Sequence, residues 1–332
     1  MKILLAKNAG FCFGVRRAVD MAHEAVAKLR EQDASAVVYT YGELIHNRSV
    51  VEELRSSGII PIDELNGLKK GDTVVIRSHG VPAQVYSYLD DLGVNIVDAT
   101  CPFVESIHKI VSEAYKKGEQ VFIVGDSGHP ETIGINGYCG NTAVFIENEE
   151  ALRLLENKSG CLVVQTTFDS TVFSDYERII KEKYPLIRVC RTICSTTLAR
   201  QREAEELSTK CDAMFVLGDH HSSNTRKLWE ICKKKCNFAK IISNKSEISI
   251  ALSEISAIIV GIVAGASTPD SIIWEVIQTM NEQDKANVNC TEAENNETEI
   301  AATEAAATTI DDNAVFDEEA ITKTLIRIRA GQ

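Results

Sequence analysis

No stretch of the 332-residue sequence approaches the roughly 18 consecutive apolar residues of a membrane-spanning helix, so no membrane span is expected. The N-terminus, MKILLAKNAGFC, has neither a long hydrophobic region nor a small-residue cleavage site. It reads as a first strand and not as a secretory signal, which makes a cytoplasmic protein the expectation. Basic residues are in deficit: 35 Lys and Arg against 48 Asp and Glu, a net charge of −13. The deficit is uneven. Residues 281–319 hold twelve acids and one lysine, whereas residues 320–332 add Lys323, Arg327 and Arg329, so residues 1–280 carry about −5. With no basic stripe, this body is not expected to bind nucleic acid. The ten cysteines contain no compact CxxC run, and a cytosolic chain of this length does not need disulfide staples.

What is present is an internal repeat with a period of about 90 residues. A first set of segments, NAGFCFGVRRAVDMAHEAV, DATCPFVESIHKIVSEAY and RTICSTTLARQREAEEL, runs from a strand end through a cysteine into an amphipathic helix. The cysteines are Cys12, Cys101 and Cys194, spaced 89 and 93 apart. A second set, YGELIHNRSVVEEL, IVGDSGHPETIG and VLGDHHSSNTRKLWEI, puts Gly and then polar residues before a helix. A third set, VVIRSHGVPAQVYSYL, LVVQTTFDSTVFSDY and GIVAGASTPDSIIWEVI, has an apolar run, a polar turn and a helix start.

Runs such as DTVVIRS, EQVFIVGD, AMFVLGD and AIIVGIVAGA are continuous and rich in β-branched residues, as parallel strands buried on both faces require. The fold class expected is α/β: three similar units with parallel sheets around a central cavity, a pseudo-threefold trefoil. Ligands of such sheets bind beyond the carboxyl ends of the strands, where all nine polar turns fall. The units are expected at 14–99, 100–191 and 192–282, with residues 1–13 supplying a strand that completes the third. Residues 283–319 read as a disordered acidic linker, and 320–332, AITKTLIRIRAGQ, as the start of a further module.

Three equivalent cysteines ahead of three helices suit an iron–sulfur cluster, with helix N-termini stabilising thiolate charge. Burial of the three as small hydrophobes remains open at this point. Cys232 and Cys236 have helical spacing but no histidine nearby, a poor zinc site. Cys139, Cys161, Cys190 and Cys211 lie near strands as packing residues, and Cys290 lies in the linker. His46, His79, His129, Ser222, Ser223, Asn224 and Ser267 occupy turns before helices, where free N–H groups suit phosphate. Helix capping explains a single Ser or Asn equally well. Glu131 is the one carboxylate among these turns. Near anionic groups its proton affinity should rise, fitting it to donate a proton. Asp126 and Asp219 read as turn formers, and His23 and His108 as surface positions on helices.

Taken together, AGFCFGVRRAV, IHNRSVVEEL, RSHGVP, DATCPFV, GHPE, QTTF, ICSTT with RQ, SSNT and AGASTPD resemble the 4-hydroxy-3-methylbut-2-enyl diphosphate reductase family, LytB or IspH, over about residues 1–282. The resemblance implies the last step of the non-mevalonate isoprenoid pathway. An oxidoreductase would reduce (E)-4-hydroxy-3-methylbut-2-enyl diphosphate with two electrons and two protons, releasing water and forming isopentenyl and dimethylallyl diphosphate. It implies one 4Fe–4S cluster on Cys12, Cys101 and Cys194, with one open iron acting as a Lewis acid on the substrate hydroxyl. It implies a diphosphate pocket of His46, His79, His129, Ser222, Asn224 and Ser267 with Ser223 beside them, Glu131 as proton relay, and Thr166 and Thr197 as further substrate contacts. A one-electron donor such as ferredoxin or flavodoxin is the implied partner. One departure is GDHH before SSN, where the family often has Lys-Asn, so His221 should alter that wall of the pocket. Another is the acidic tail. In some bacteria the reductase is fused to RNA-binding OB barrels, and AITKTLIRIRAGQ, residues 320–332, resembles a lead-in to such a module, the one route by which RNA would be a partner. A non-catalytic metal sensor and a redox-neutral hydro-lyase are the competing classes. Turnover that depends on an electron donor separates both from a reductase.

Overall fold

The computed structural model describes the backbone of residues 1–298 and the side chains of residues 1–285. The chain opens with β1 (Lys2–Leu5) and α1 (Phe13–Arg30). The next unit holds β2 (Val38–Tyr41), α2 (Arg48–Ser56), β3 (Ile59–Ile62), β4 (Thr73–Ile76), α3 (Ala83–Leu92), β5 (Asn95–Asp98) and then α4 (Pro102–Lys116). It is followed by β6 (Gln120–Val124), α5 (Pro130–Gly137), β7 (Val144–Ile146), α6 (Glu149–Arg153), β8 (Gly160–Val164), α7 (Ser170–Lys183), β9 (Ile187–Val189) and α8 (Ser195–Ser208). The last series is β10 (Ala213–Leu217), α9 (Ser223–Lys235), β11 (Phe238–Ile242), α10 (Lys245–Ser253), β12 (Ile259–Ala264) and α11 (Asp270–Thr298).

These strands form three four-stranded, all-parallel sheets in the orders β3-β2-β4-β5, β7-β6-β8-β9 and β11-β10-β12-β1. All three follow one rule: second strand, first, third, fourth. In the third sheet the fourth position is filled from the other end of the chain, with Ile3 opposite Val260 and Leu5 opposite Ile262. The inner strands explain the continuous apolar runs. Along β6, Val121 and Ile123 face one hydrophobic cluster while Phe122 and Val124 face another. Along β10, Met214 and Val216 face the opposite side from Phe215 and Leu217. Side chains alternate with period two, and helices cover both faces, so every position is apolar.

Helices α1, α4 and α8 each begin beyond the fourth strand of one sheet and pack on the next. Val15, Ala18, Ala22 and Val26 of α1 join the core of the first unit. Ile107, Val111 and Ala114 of α4 join that of the second, and Ala204 of α8 that of the third. The three sheets are thereby linked in a closed relay within Met1–Asp284. Beyond residue 282 the backbone of α11 continues into the acidic segment, to Thr298. The remainder of that segment and the stretch 320–332 lie outside the described residues. No described helix is long and apolar enough to cross a membrane.

Candidate active site

In a sheet ordered second-first-third-fourth, the connections leaving the first and third strands depart in opposite directions and leave a crevice at their carboxyl ends. The three repeated sets of turns map onto this topology. The turns after β2, β6 and β10 carry His46, His129 and Ser222–Asn224. Those after β4, β8 and β12 carry His79, Thr166 and Ser267. Those after β5, β9 and β1 carry Cys101, Cys194 and Cys12. They surround one central cavity of about 100 Å³. Cys12, Cys101, Cys194, His46, His79, His129, Glu131, Thr166, Thr197, Ser222, Ser223, Asn224 and Ser267 all line it.

Each of the three cysteines is the N-cap of its helix, in extended backbone geometry, and none uses its side chain to cap. Their backbone N–H groups are spent alike: Cys12 donates to Ala266 O at 3.1 Å, Cys101 to Ser78 O at 3.0 Å and Cys194 to Thr166 O at 3.1 Å. Each bond ties a cysteine to the third-strand turn of its own sheet. The helix dipoles there favour negative charge. Burial pushes the Cys101 thiol up to about 11, and the Cys12 and Cys194 charges push the same way. Ionising all three in one cavity therefore requires a cation. The sulfurs are soft donors that suit an iron–sulfur group. Gly14 leaves room for one side of it: a Cβ at that position would stand 2.6 Å from Cys101 Sγ. By donor chemistry, the residues fit the group.

On the far wall the three imidazoles form a cluster, with ring centroids 4.7 Å apart for His46–His79, 5.4 Å for His79–His129 and 5.6 Å for His46–His129. Their candidate ligand atoms lie within 4.8 Å of one another, close enough to consider a metal. The hydrogen bonding of His129 favours an anion instead. Its Nδ1 accepts from Glu131 N at 3.1 Å, so the neutral ring carries its proton on Nε2 and offers a donor, not a lone pair. Burial lowers the pKa of all three rings, that of His129 to about 4 with the charge of His46 adding to the effect. The rings are therefore neutral near pH 7, and each can offer one N–H donor.

Two polar atoms here are buried without a partner among the described residues, His79 Nδ1 and Asn224 Nδ2. An unpaired buried donor costs about 1–3 kcal/mol, so both call for a ligand atom. Some of the surrounding hydroxyls are occupied. Ser222 Oγ caps α9 by accepting from Thr225 N, and Ser267 Oγ donates to His46 O at 2.9 Å. Helix capping thus accounts for one of these hydroxyls and a tether between units for the other. Cations stand back from the cavity. Arg77 is not among the lining residues, yet its charge lowers the pKa of all three histidines.

Glu131, in the first turn of α5, is 2% exposed. Its two oxygens accept from Thr166 N at 2.7 Å and Thr166 Oγ1 at 2.6 Å. Burial raises its pKa, and these two bonds oppose the rise. The direction agrees with the expected rise, and burial alone is enough to produce it.

Some residues fall elsewhere. His108, expected at the surface, is 4% exposed and stacks on Tyr138 at 4.1 Å, because α4 turns that face toward the turn at Gly80. His23 is half-buried. His221 is exposed and does not line the cavity, so the expected change to the pocket wall does not arise from it. Asp126 and Asp219 do form turns, accepting from Gly128 N and His221 N. Asp219 also accepts from Arg48 N of another unit. Cys232 and Cys236 are core residues, with no histidine grouped beside them among the described residues. Lining residues not singled out from the sequence include Ser78, Thr167, Thr196 and Phe103. Gln165 lies just behind, its Nε2 reaching Thr167 Oγ1 at 3.2 Å and Ser223 Oγ at 3.5 Å. The doubled threonines of QTTF and STT were the available signal.

The family model described as LytB protein matches residues 3–281. The 4-hydroxy-3-methylbut-2-enyl diphosphate reductase of Caldanaerobacter subterraneus is 44% identical over 281 residues, covering 84% of this chain and 96% of that protein. The reductase of Clostridium acetobutylicum is 42% identical over 292 residues, but the match spans 86% of this chain and only 44% of that longer protein. Among solved structures, the E-1-hydroxy-2-methyl-but-2-enyl-4-diphosphate reductase of Plasmodium falciparum is similar with a TM-score of 0.78 at 26% identity, covering 84% of this chain and 87% of that one. A structure described as (E)-4-hydroxy-3-methyl-but-2-enyl diphosphate reductase, the terminal enzyme of the non-mevalonate pathway, is similar with a TM-score of 0.60 at 35% identity, covering 85% and 100%.

Proposed function

The chain belongs to the LytB family, and we propose that its central cavity carries the family's reaction through the residues that the repeat brings together. The activity is that of an oxidoreductase. It reduces (E)-4-hydroxy-3-methylbut-2-enyl diphosphate to isopentenyl and dimethylallyl diphosphate, the last step of the non-mevalonate pathway, taking up two electrons and two protons and releasing water.

In this reading Cys12, Cys101 and Cys194 hold one 4Fe–4S cluster. When bound, that cluster supplies electrons singly and an iron position that no cysteine fills. The rest of the work falls to the chain. His46, His79 and His129 donate N–H groups to the diphosphate, with Asn224 Nδ2 as a further donor. Ser222, Ser223 and Ser267 crowd the same end and fix its orientation. Hydrogen bonds from several neutral donors to a charged ligand, at roughly 1.5–3 kcal/mol each, suffice without a lysine in the cavity. The opposite end of the substrate then lies toward the cysteines, past Thr166 and Thr197. Glu131, whose proton affinity burial raises, delivers a proton toward the departing hydroxyl, and Thr166 is its relay. The tight packing at Gly14 and Val15 excludes bulk water from that end. Electrons come from a one-electron carrier of the ferredoxin or flavodoxin type.

The observation that carries this reading is the pairing of three uncapped cysteine N-caps with unpartnered donors across one small cavity. Its test is anaerobic purification with iron and sulfide counts, followed by turnover with a one-electron donor. We expect about four irons per chain, and severe loss of both iron and activity on replacing any one of Cys12, Cys101 or Cys194 by Ser. Full activity in all three variants would refute the ligand set.

A further inference from the structure

Behind Cys12 and Cys194 lies a positive charge with no task in the scheme above. Arg200 is on α8, six positions beyond Cys194, and is 6% exposed. Its Nη2 donates to Gly10 O at 2.6 Å, two residues ahead of Cys12. Its Nε and Nη1 are buried with no hydrogen-bond partner among the described residues. The neighbouring Gln201 makes the contrast. Its Oε1 accepts from Ser170 N at 3.0 Å and its Nε2 donates to Phe168 O at 2.9 Å, so it is a satisfied tether between α8 and the second unit. Arg200 is only half satisfied as a tether.

A guanidinium stays protonated, and a buried cation with unmade hydrogen bonds is costly. No carboxylate forms an ion pair with it among the described residues. Glu203, the nearest acid by charge, instead accepts the backbone N–H groups of Lys7 and Asn8. The negative charges that reach Arg200 most strongly are those of Cys12 and Cys194. The unpartnered N–H groups of two guanidinium nitrogens and a fixed charge therefore lie within electrostatic reach of the Cys12 and Cys194 sulfurs. Each electron added to a group held by those sulfurs increases its negative charge, which an adjacent cation stabilises.

We propose that Arg200 is a positioning residue for the reduction: its unpartnered N–H groups and its charge brace the sulfur side of the metal centre held by Cys12 and Cys194, and raise that centre's affinity for electrons. The inference rests on the cluster reading above. It concerns the arginine of the RQ pair, which the tethering of α8 does not by itself explain.

The test uses holoenzyme purified anaerobically, with Arg200→Met and Arg200→Lys compared to the parent by redox titration followed by electron paramagnetic resonance. Arg200→Met should lower the one-electron reduction equilibrium at least tenfold, a midpoint more negative by 59 mV or more. Arg200→Lys, which keeps the charge, should stay closer to the parent than to the Met variant. An unmoved midpoint in Arg200→Met would overturn the proposal and leave Arg200 as a tether of Gly10. A lysine variant shifted as far as the methionine one would do the same. If Arg200→Met does not accumulate as folded protein, Arg200→Gln is titrated in its place with the same criterion. Iron and sulfide counts on the parent separate the two readings. A parent without iron sinks the cluster reading and this inference together, whereas a loaded parent with unmoved variants sinks this inference alone.

Discussion

Glu131 shows how one buried carboxyl acquires a role. Desolvation raises its pKa, while both hydrogen bonds from Thr166 stabilise the charged form and oppose the rise. A proton donor of this kind is loaded at low pH and lost as pH rises through the raised value. Turnover should therefore fall on the alkaline side. Glu131→Gln should lower turnover by roughly 10²–10⁴-fold while iron content and substrate binding stay unchanged. Steady-state rates across pH check both points, and a glutamine variant as fast as the parent would remove Glu131 from the proton path. The histidines titrate in the opposite sense. His129 falls to about 4 from an ordinary 6.5. Above 6.5 neither the folded nor the unfolded ring binds a proton; between 6.5 and 4 only the unfolded one does. Stability present above 6.5 is thus lost as pH falls toward 4, by up to about 3 kcal/mol for this ring. His129→Asn should show a shallower fall in melting temperature over that range, and parallel curves would count against the assignment.

Among the elements, α1, α4 and α8 matter most because each is both a cysteine carrier and a clamp on the following sheet. Their starts were legible in the sequence: a polar or cysteine-bearing turn, then an apolar face at helical spacing. Their approach to one another was not. Gly14, the second residue of α1, stands against Cys101 at the start of α4, so a methyl group there meets sulfur at 2.6 Å. In an exposed helix Gly→Ala gains about 1 kcal/mol. Here Gly14→Ala should cost iron retention instead, because Cys101 must shift. Iron per chain after anaerobic desalting measures it, and parent-level iron would show that the contact is soft.

At the scale of the molecule, the repeat is the design. Three sheets of one strand order present equivalent turns, yet the turns have diverged: His46 and His79 in the first unit, His129 with Glu131 and Thr166 in the second, serines with Asn224 in the third. One cavity consequently has a sulfur wall and a donor wall. Every candidate site residue lies within residues 1–282, so a chain ending after Asp284 should turn over at the parent rate. A large loss of kcat in that shortened chain would give the acidic segment a part in the reaction.

The sequence by itself determined the most apolar inner strands, the order of the turns and the residue types each turn carries. Hydrophobic runs and polar breaks are local, and the 90-residue echo marks equivalent places without any structure. The fourth-strand role of β1 was also legible, since its unit otherwise lacked one. Only the tertiary structure decided which polar atoms lack partners and which groups lose water. His79 Nδ1, Asn224 Nδ2 and half of Arg200 are unpaired because segments far apart in sequence close over them. His108 looks like a surface residue on its own helix and is buried by another element. Burial and hydrogen bonding depend on the whole chain at once, and a pattern read along the chain carries no record of them.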